Sequence, residues 1–457
     1  MLAQLSFEIA DRIVEYLDFN SVRSIARVCS AFRLPAQLRL FKSIRIISNA
    51  HKIYPNHGDS ILSSPYLLQY ASSLMVSSIG PTQQTSMHSL WSHLPTMPRL
   101  VYMHIYLQPD DCSRALSALE GLGLTREIAL NIPRDLAPDM LISDHPLPVH
   151  SFDVYVDAST HHVVTRLLQK CSQSLRKLFL DLQDNIAPPL PFLPHLYELT
   201  IRTTLDPSSN DSDLVSWFPF LSQHPSITRI SLGSRFTLAV QPPPDLLPNL
   251  QFLDATPAMI ERLIPGRPVN DIRTEYAPQI AYHFPDDIML QLLRQPYVSV
   301  TTLAILTNAH LPNDGLIKIV QALPKLRDFT ADWPCDEVRQ FCSKAEVFRI
   351  DLKQDSAALE GLLTALGKCK DVVHIRLYPS VIRVPPGHFR RLWSRGDFVQ
   401  MVQRLQENGA AGLRSFELRA VVSFRQQGCE AIRVGWLDIP RQPTLRGEWQ
   451  FYMDGSF

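Results

Sequence analysis

None of the short signatures of a catalytic or nucleotide-binding site occurs in this chain. HExxH, GxxxxGK[ST], GxSxG and GxGxxG are all missing, so nothing argues for a zinc hydrolase, a phosphate-cradling loop, a nucleophile elbow or a dinucleotide fold. An excess of charge of one sign is missing too. Lys+Arg and Asp+Glu stand at 44 each, which gives no bulk attraction to nucleic acid or an anionic membrane. No apolar run approaches the ~18 residues needed to cross a bilayer. Glu8, Asp11 and Glu15 interrupt the N-terminal apolar stretch, which a signal peptide would keep intact. Paired cysteines are also missing: the seven thiols, Cys29, Cys112, Cys171, Cys335, Cys342, Cys369 and Cys429, include no CxxC and sit in apolar surroundings. They read as structural free thiols in a reducing compartment. His161 and His162 are adjacent on a predicted helix, so their side chains diverge, and His51 and His57 have no further ligands nearby. The expectation is a cytoplasmic or nuclear protein, not an enzyme, with no cofactor, no metal, no nucleic acid partner and no membrane partner.

Glycine is scarce at 17 residues, whereas proline is abundant at 36. That is about 8% against a usual ~5%. The prolines are not in low-complexity tracts; they punctuate a repeat. Its pattern is L-x-x-L-x-L, seen in VHSFDV (Val149), LRKLFL (Leu175), LYELTI (Leu196), ITRISL (Ile227) and LQFLDA (Leu250). Later copies are VTTLAI (Val300), LRDFTA (Leu326), VFRIDL (Val347), VVHIRL (Val372) and LRSFEL (Leu413); an earlier one is LVYMHI (Leu100). Weaker matches lie near Ile128 and Ile272. The period is roughly 25 residues, within the range of leucine-rich repeats. Pro98, Pro194, Pro225, Pro248 and Pro324 precede strands, where a residue without an N–H is tolerated. Amphipathic helices fill the gaps, for example Ser159 to Cys171 and Asp355 to Cys369. PPPD at Pro242 reads as a stiff connection between repeats, with a polyproline ligand as the alternative.

No single strand–turn–helix unit buries its own apolar face, but stacked units do. The predicted architecture is α/β, an irregular leucine-rich-repeat solenoid with a parallel concave sheet and helices on the convex side. Period-two alternation sends the residues between the leucines to the concave surface. Candidate target-binding residues there are Lys177, Phe179, Glu198, Arg202, Arg229, Asp254, Asp328, Arg349, Asp351, His374 and Arg376. Asp328 and Asp332 are expected beside Arg349 and Lys353 on neighbouring strands, as cross-strand pairs. Residues 379–411 form a long insertion with a helix expected from Asp397 to Gln406. The tail 421–457, with Trp436 and Trp449, would cover the open end of the array.

The first 45 residues differ. Ile9, Ile13, Tyr16 and Leu17 make one helical face, and Asn20 or Ser21 is placed to cap a second helix carrying Val22, Ile25, Ala26, Val28 and Cys29. A third segment carries Phe32, Leu38, Leu40 and Phe41. Three short helices cannot bury that much apolar surface among themselves. The organisation expected is 1–45 helical, 46–420 repeats and 421–457 a C-terminal cap.

Leu5-Ser6-Phe7-Glu8, then Ile9 and Ile13, Leu17-Asp18, Val28-Cys29 and Phe32 resemble an F-box. Followed by the repeats, the layout is similar to fungal F-box proteins with C-terminal leucine-rich repeats. Two departures stand out: Ser6 occupies the family's usual proline position, and Pro35 falls in the third-helix region, so that helix is expected to start late. The resemblance implies a substrate-recognition subunit of a cullin–RING ubiquitin ligase. The F-box docks on a Skp-type adaptor, and through it cullin, while the repeats hold an unknown target protein. The adaptor-binding residues it implies are Leu5, Phe7, Ile9, Ile13, Leu17, Val22, Ile25, Val28 and Cys29. The alternative is a repeat scaffold for protein interactions whose F-box-like helices serve only as an N-terminal cap.

Overall fold

In the computed structural model the proline-punctuated segments become parallel β-strands. The structure describes residues 5–47, 65–77, 90–106, 112–120, 122, 127–132, 145–157, 160–183, 189–203, 212–233, 236–276, 300–307, 317–318, 320–323, 325–333, 364–369, 371–379, 403, 405–410, 413–424, 428–438 and 450–452. The chain divides into two compact units, Met1–Ser212 with Ser216–Ile227, and Asp213–Val215 with Thr228–Phe457.

The first unit opens with three helices, α1 (Phe7–Glu15), α2 (Phe19–Val28) and α3 (Ser30–Leu40). They close on a core of their own, made by Ala10, Val14, Val22, Phe32 and Ala36. Asp18 caps α2: its carboxylate accepts from the N–H groups of Asn20 and Ser21, each at 3.0 Å. The cap is therefore two or three residues earlier than the sequence suggests, because a carboxylate also favours the positive end of the helix dipole. Ser6 occupies the N-cap position of α1 without a side-chain capping bond, and its carbonyl accepts from Ala10 N–H at 3.0 Å. α3 does not start late; it begins at Ser30 and runs through Pro35. Pro35 is buried with Phe32 and Ala36, and that packing outweighs the single helical hydrogen bond it forgoes.

Two residues after α3 comes β1 (Ser43–Ile47), which therefore starts inside the segment expected to be helical. β2 (Ser73–Ser77), β3 (Tyr102–Tyr106), β4 (Glu127–Ile132), β5 (Ser151–Val156), β6 (Lys177–Leu182) and β7 (Glu198–Thr203) follow, each parallel to the one before. α4 (Cys112–Glu120) and α5 (His161–Cys171) lie between strands and bury their apolar sides. α6 (Phe218–Gln223) ends the unit.

The second unit repeats the scheme with β8 (Arg229–Leu232), β9 (Phe252–Asp254), α7 (Pro257–Leu263), β10 (Asp271–Tyr276), β11 (Thr302–Thr307), β12 (Asp328–Trp333), β13 (His374–Pro379) and β14 (Ser415–Phe424). These strands are parallel. β15 (Gly428–Asp438) then adds antiparallel to β14, and β16 (Gln450–Tyr452) antiparallel to β15, so these parts of the tail join the sheet as further strands, Trp436 among them. β14 itself crosses the boundary expected at residue 420.

The repeat pattern explains the ladder. Val149, Phe152 and Val154, then Leu175, Leu178 and Leu180, then Leu196, Leu199 and Ile201 are all at most 2% exposed. The leading apolar residue of each copy sits just before its strand and the next two point inward from it. Strand starts share one device. The carbonyl of His150 accepts from both Arg176 and Lys177 N–H, and that of Arg176 from both Tyr197 and Glu198. Thr228, Gln251, Asn270, Thr301 and Arg327 do the same for the strands that follow them.

The prolines have a sharper role than lacking an N–H. In Leu193-Pro194-His195-Leu196, His224-Pro225-Ser226-Ile227 and Leu247-Pro248-Asn249-Leu250, the fourth residue donates to the carbonyl of the first at 3.1–3.2 Å. Proline is thus the second residue of a β-turn, the position its fixed φ favours. Such turns need no left-handed residue at their centre, which is why the chain manages with few glycines.

β12 pairs directly with β13 over six residues, Asp328 with His374 through Trp333 with Pro379. Both hydrogen-bonding edges of β12 are taken by β11 and β13, with Asp328 in register between Thr302 and His374. Arg349, Asp351 and Lys353 lie outside the described residues, as do Cys335, Cys342, Trp449 and most of the 379–411 insertion.

Candidate partner-binding surfaces

Two surfaces collect residues singled out from the sequence. The first is on the helical trio. Phe7 is 43% exposed, Ile9 52%, Ile13 37% and Val28 83%. Ile9 and Ile13 fall on one stripe of α1 that Tyr16 continues at its C-cap, beside the buried stripe of Ala10 and Val14, and Tyr16 is 84% exposed. Leu34 on α3 is also exposed. Leu5, Leu17, Ile25 and Cys29 are partly buried against the trio's core. Val22 is a correction: at 1% exposure it belongs to that core and presents nothing to a partner. The second helix has to bury one side against the other two, and Val22 lies on that side. Tyr16 and Leu34 were not expected as contacts, although the i, i+4, i+7 spacing of Ile9, Ile13 and Tyr16 already carried the signal for the first.

The second surface is the half-exposed face of the sheet. In the first unit the register lines up His104, Ala129, Ser151, Lys177 and Glu198 in one row across β3 to β7. The next row is Tyr106, Asn131, Asp153, Phe179 and Thr200. Ala129 and Ser151 are small, and they leave a depression of about 240 Å³ lined also by Tyr102, His104, Asp153, Lys177 and Phe179. Lys177 Nζ lies 3.2 Å from a Glu198 carboxylate oxygen, and Arg202 stacks over the Phe179 ring at 5.0 Å. Asn131 Nδ2 donates to Asp153 at 2.9 Å.

Burial and the neighbouring Asp181 charge push the Asp153 carboxyl up to about 6, against the pull of Asn131 and Arg202. Burial holds His104 below its ordinary value. Burial alone would lower Lys177, but its hydrogen bond and charge pairing with Glu198 outweigh this and raise it. The sequence alternation placed Lys177, Phe179, Glu198 and Arg202 on this face. It missed Asp153, His104 and Tyr102, because the hollow exists only where two small residues meet across strands.

In the second unit Arg229 stacks on Phe252 at 4.0 Å. Asp254 accepts from the Ser231 hydroxyl at 2.9 Å and has Arg273 Nε at 4.0 Å. Asp328 stands in register between Thr302 and His374, and Arg376 in register with Thr330. Burial raises Asp271, with Arg229 opposing and Asp328 adding to it. Arg229, Asp254 and Arg273 are thus engaged across strands on this face.

Other candidates resolve simply. His161 and His162 are exposed on α5 with ring centroids 5.8 Å apart, edge to face. Among the described residues, no group of three His, Cys, Asp or Glu side chains is gathered as metal ligands would be. Cys112, Cys171 and Cys369 are buried free thiols; burial pushes Cys171 up to about 12 and Cys369 to about 11, so neither is a ready nucleophile. No helix among the described residues is long and apolar enough to cross a membrane. No protein-family model matches the chain, and no curated protein is significantly similar to it.

Proposed function

We propose that this chain is a substrate-recognition subunit of a cullin–RING ubiquitin ligase, with no catalysis of its own. The helical trio is an F-box that docks on a Skp-type adaptor. The strand array is an irregular set of leucine-rich repeats whose open face holds a target protein. The observation that carries the reading is the exposed apolar set of the trio, Ile9 and Ile13 on α1 and Tyr16 at its C-cap, with Val28 at the end of α2. These residues stay exposed, whereas helices serving only as a cap would turn their apolar sides onto the sheet. Leu5, Leu17, Ile25 and Cys29 buttress the trio from its edges.

The test is binding of the full chain to purified Skp adaptor, beside the variants Ile13→Asp and Val28→Asp. An unpaired carboxylate in an apolar contact costs about 2 kcal/mol or more, which weakens binding roughly 30-fold. Both positions are exposed, so the variants keep the fold. Folded variants that bind as the parent does would leave the trio as a cap and the protein as a repeat scaffold.

A further inference from the structure

The hollow on the face of β3 to β7 has a shape and a charge that select an occupant. Its volume of about 240 Å³ suits one long side chain and is smaller than the ~300–1,000 Å³ of sites for drug-sized ligands. Phe179 and Tyr102 offer aromatic surface at its walls, and Asp153 reaches its lining from β5.

The charged and titratable groups around it come from every neighbouring strand. They are Tyr102 and His104 on β3, Asp153 and Tyr155 on β5, Lys177 and Asp181 on β6, and Glu198 and Arg202 on β7, with the neutral Asn131 on β4. Lys177 is engaged by Glu198 and Arg202 by the Phe179 ring. Burial holds His104 below its ordinary value. Asp153 receives its hydrogen bond from a neutral amide and feels Asp181 on the next strand. Asp153, Asp181 and Glu198 bring three negative charges against the two positive ones of Lys177 and Arg202, so the surroundings favour an entering cation, which would meet the Asp153 carboxylate and ring faces.

We propose that this hollow takes the arginine side chain of a protein bound across the sheet face, with its guanidinium on the Asp153 carboxylate and its plane against the Phe179 side of the wall. Arg202 already shows the stacking partner such a group would use. This deepens the reading of the face as the target surface and is independent of the adaptor reading.

The full chain is titrated with N-acetyl-arginine amide and followed by saturation-transfer NMR, with N-acetyl-lysine amide and N-acetyl-glutamate amide as the other probes. The arginine probe binds at pH 7.5 and at least tenfold more weakly at pH 5, where Asp153 is protonated. The lysine probe binds more weakly than arginine and the glutamate probe does not bind. Asp153→Asn abolishes the arginine signal while keeping the Asn131 contact. Ser151→Leu abolishes it too, by filling the hollow with Asp153 intact. Equal binding to the parent and to folded Asp153→Asn, preference for the glutamate probe, or no transfer at a saturating concentration overturns the proposal. Adaptor binding without arginine binding sinks this inference alone; arginine binding without adaptor binding sinks the adaptor reading alone.

Discussion

Replacing Arg267 by methionine removes a buried guanidinium that ties a proline-rich connection to α7. The side chain is 2% exposed. Nε donates to the Leu246 carbonyl at 2.7 Å, Nη1 to Leu263 and Pro265 and Nη2 to Pro243, each at 2.9 Å. Burial holds the guanidinium below its ordinary value, with Asp245 nearby pulling the other way. The connection it holds is Pro242 to Leu247, which includes the PPPD stretch, and Leu247 takes a left-handed φ of 55° while fully buried. A non-glycine residue in that region costs about 1–2 kcal/mol, so the loop needs an external hold.

Methionine fills similar space but donates nothing. The Leu246 and Leu263 carbonyls are in buried surroundings; those of Pro243 and Pro265 are closer to solvent and find water. Two buried acceptors left bare cost about 1–3 kcal/mol each, partly offset because the charge no longer has to be desolvated. The expected net loss is about 3 kcal/mol, or a fall in Tm of about 6–12 °C for a unit of this size. Thermal and urea denaturation of the two proteins measure it, and limited proteolysis locates the loosened segment at 242–247. Arg267→Lys keeps the charge but not the fork, and recovers less than half of the loss. A methionine variant within 1 kcal/mol of the parent would refute the clamp and return PPPD to the status of a free ligand segment.

Two other residues make similarly direct predictions. Thr274 on β10 is 0% exposed and its hydroxyl has no hydrogen-bond partner among the described residues, so Thr274→Val should raise stability by about 1–2 kcal/mol in a urea melt; a loss would mean that the hydroxyl is bonded. His224 is buried, donates from Nδ1 to the Phe220 carbonyl at 2.6 Å and accepts at Nε2 from Leu193 N–H at 2.9 Å, so the fold requires it neutral and burial lowers its pKa below 6.5. Its contribution is fully present above the unfolded value of about 6.5 and is lost as pH falls from there toward the folded value. Melts at pH 8, 6.5 and 5 should show that loss in the parent and a smaller one in His224→Gln.

The parallel strands were legible because each rests on a local signal that tertiary context reinforces: Leu175, Leu178 and Leu180 announce both period and face. VFRIDL at Val347 shows where that signal runs out. Its alternation matches the other copies, but β12 and β13 pair directly, Val347 to Leu352 lie outside the described residues, and alternation alone does not say which copies become sheet neighbours. Val22 failed for a related reason. Its helix carries apolar residues on more than one side, and a single sequence does not say which side the neighbouring helices take. The hollow was hidden because Ala129 and Ser151 are far apart in the chain and neither draws notice alone; register makes them neighbours.

The doubly accepting carbonyl that recurs at strand starts separates alignment from connection length. β9 and β10 begin 19 residues apart, β12 and β13 begin 46 apart, and the same pair of N–H bonds seats both junctions. Segments between strands are therefore free to lengthen without moving what the sheet displays. A single residue added between Leu175 and Leu178 would do the opposite: it would exchange the two sides of β6, driving Lys177, Phe179 and Asp181 into the apolar interior. Natural variation in a chain built this way is channelled into connections of variable length and into face residues exchanged one at a time, so a new binding specificity can arise on a frame that never has to be refolded.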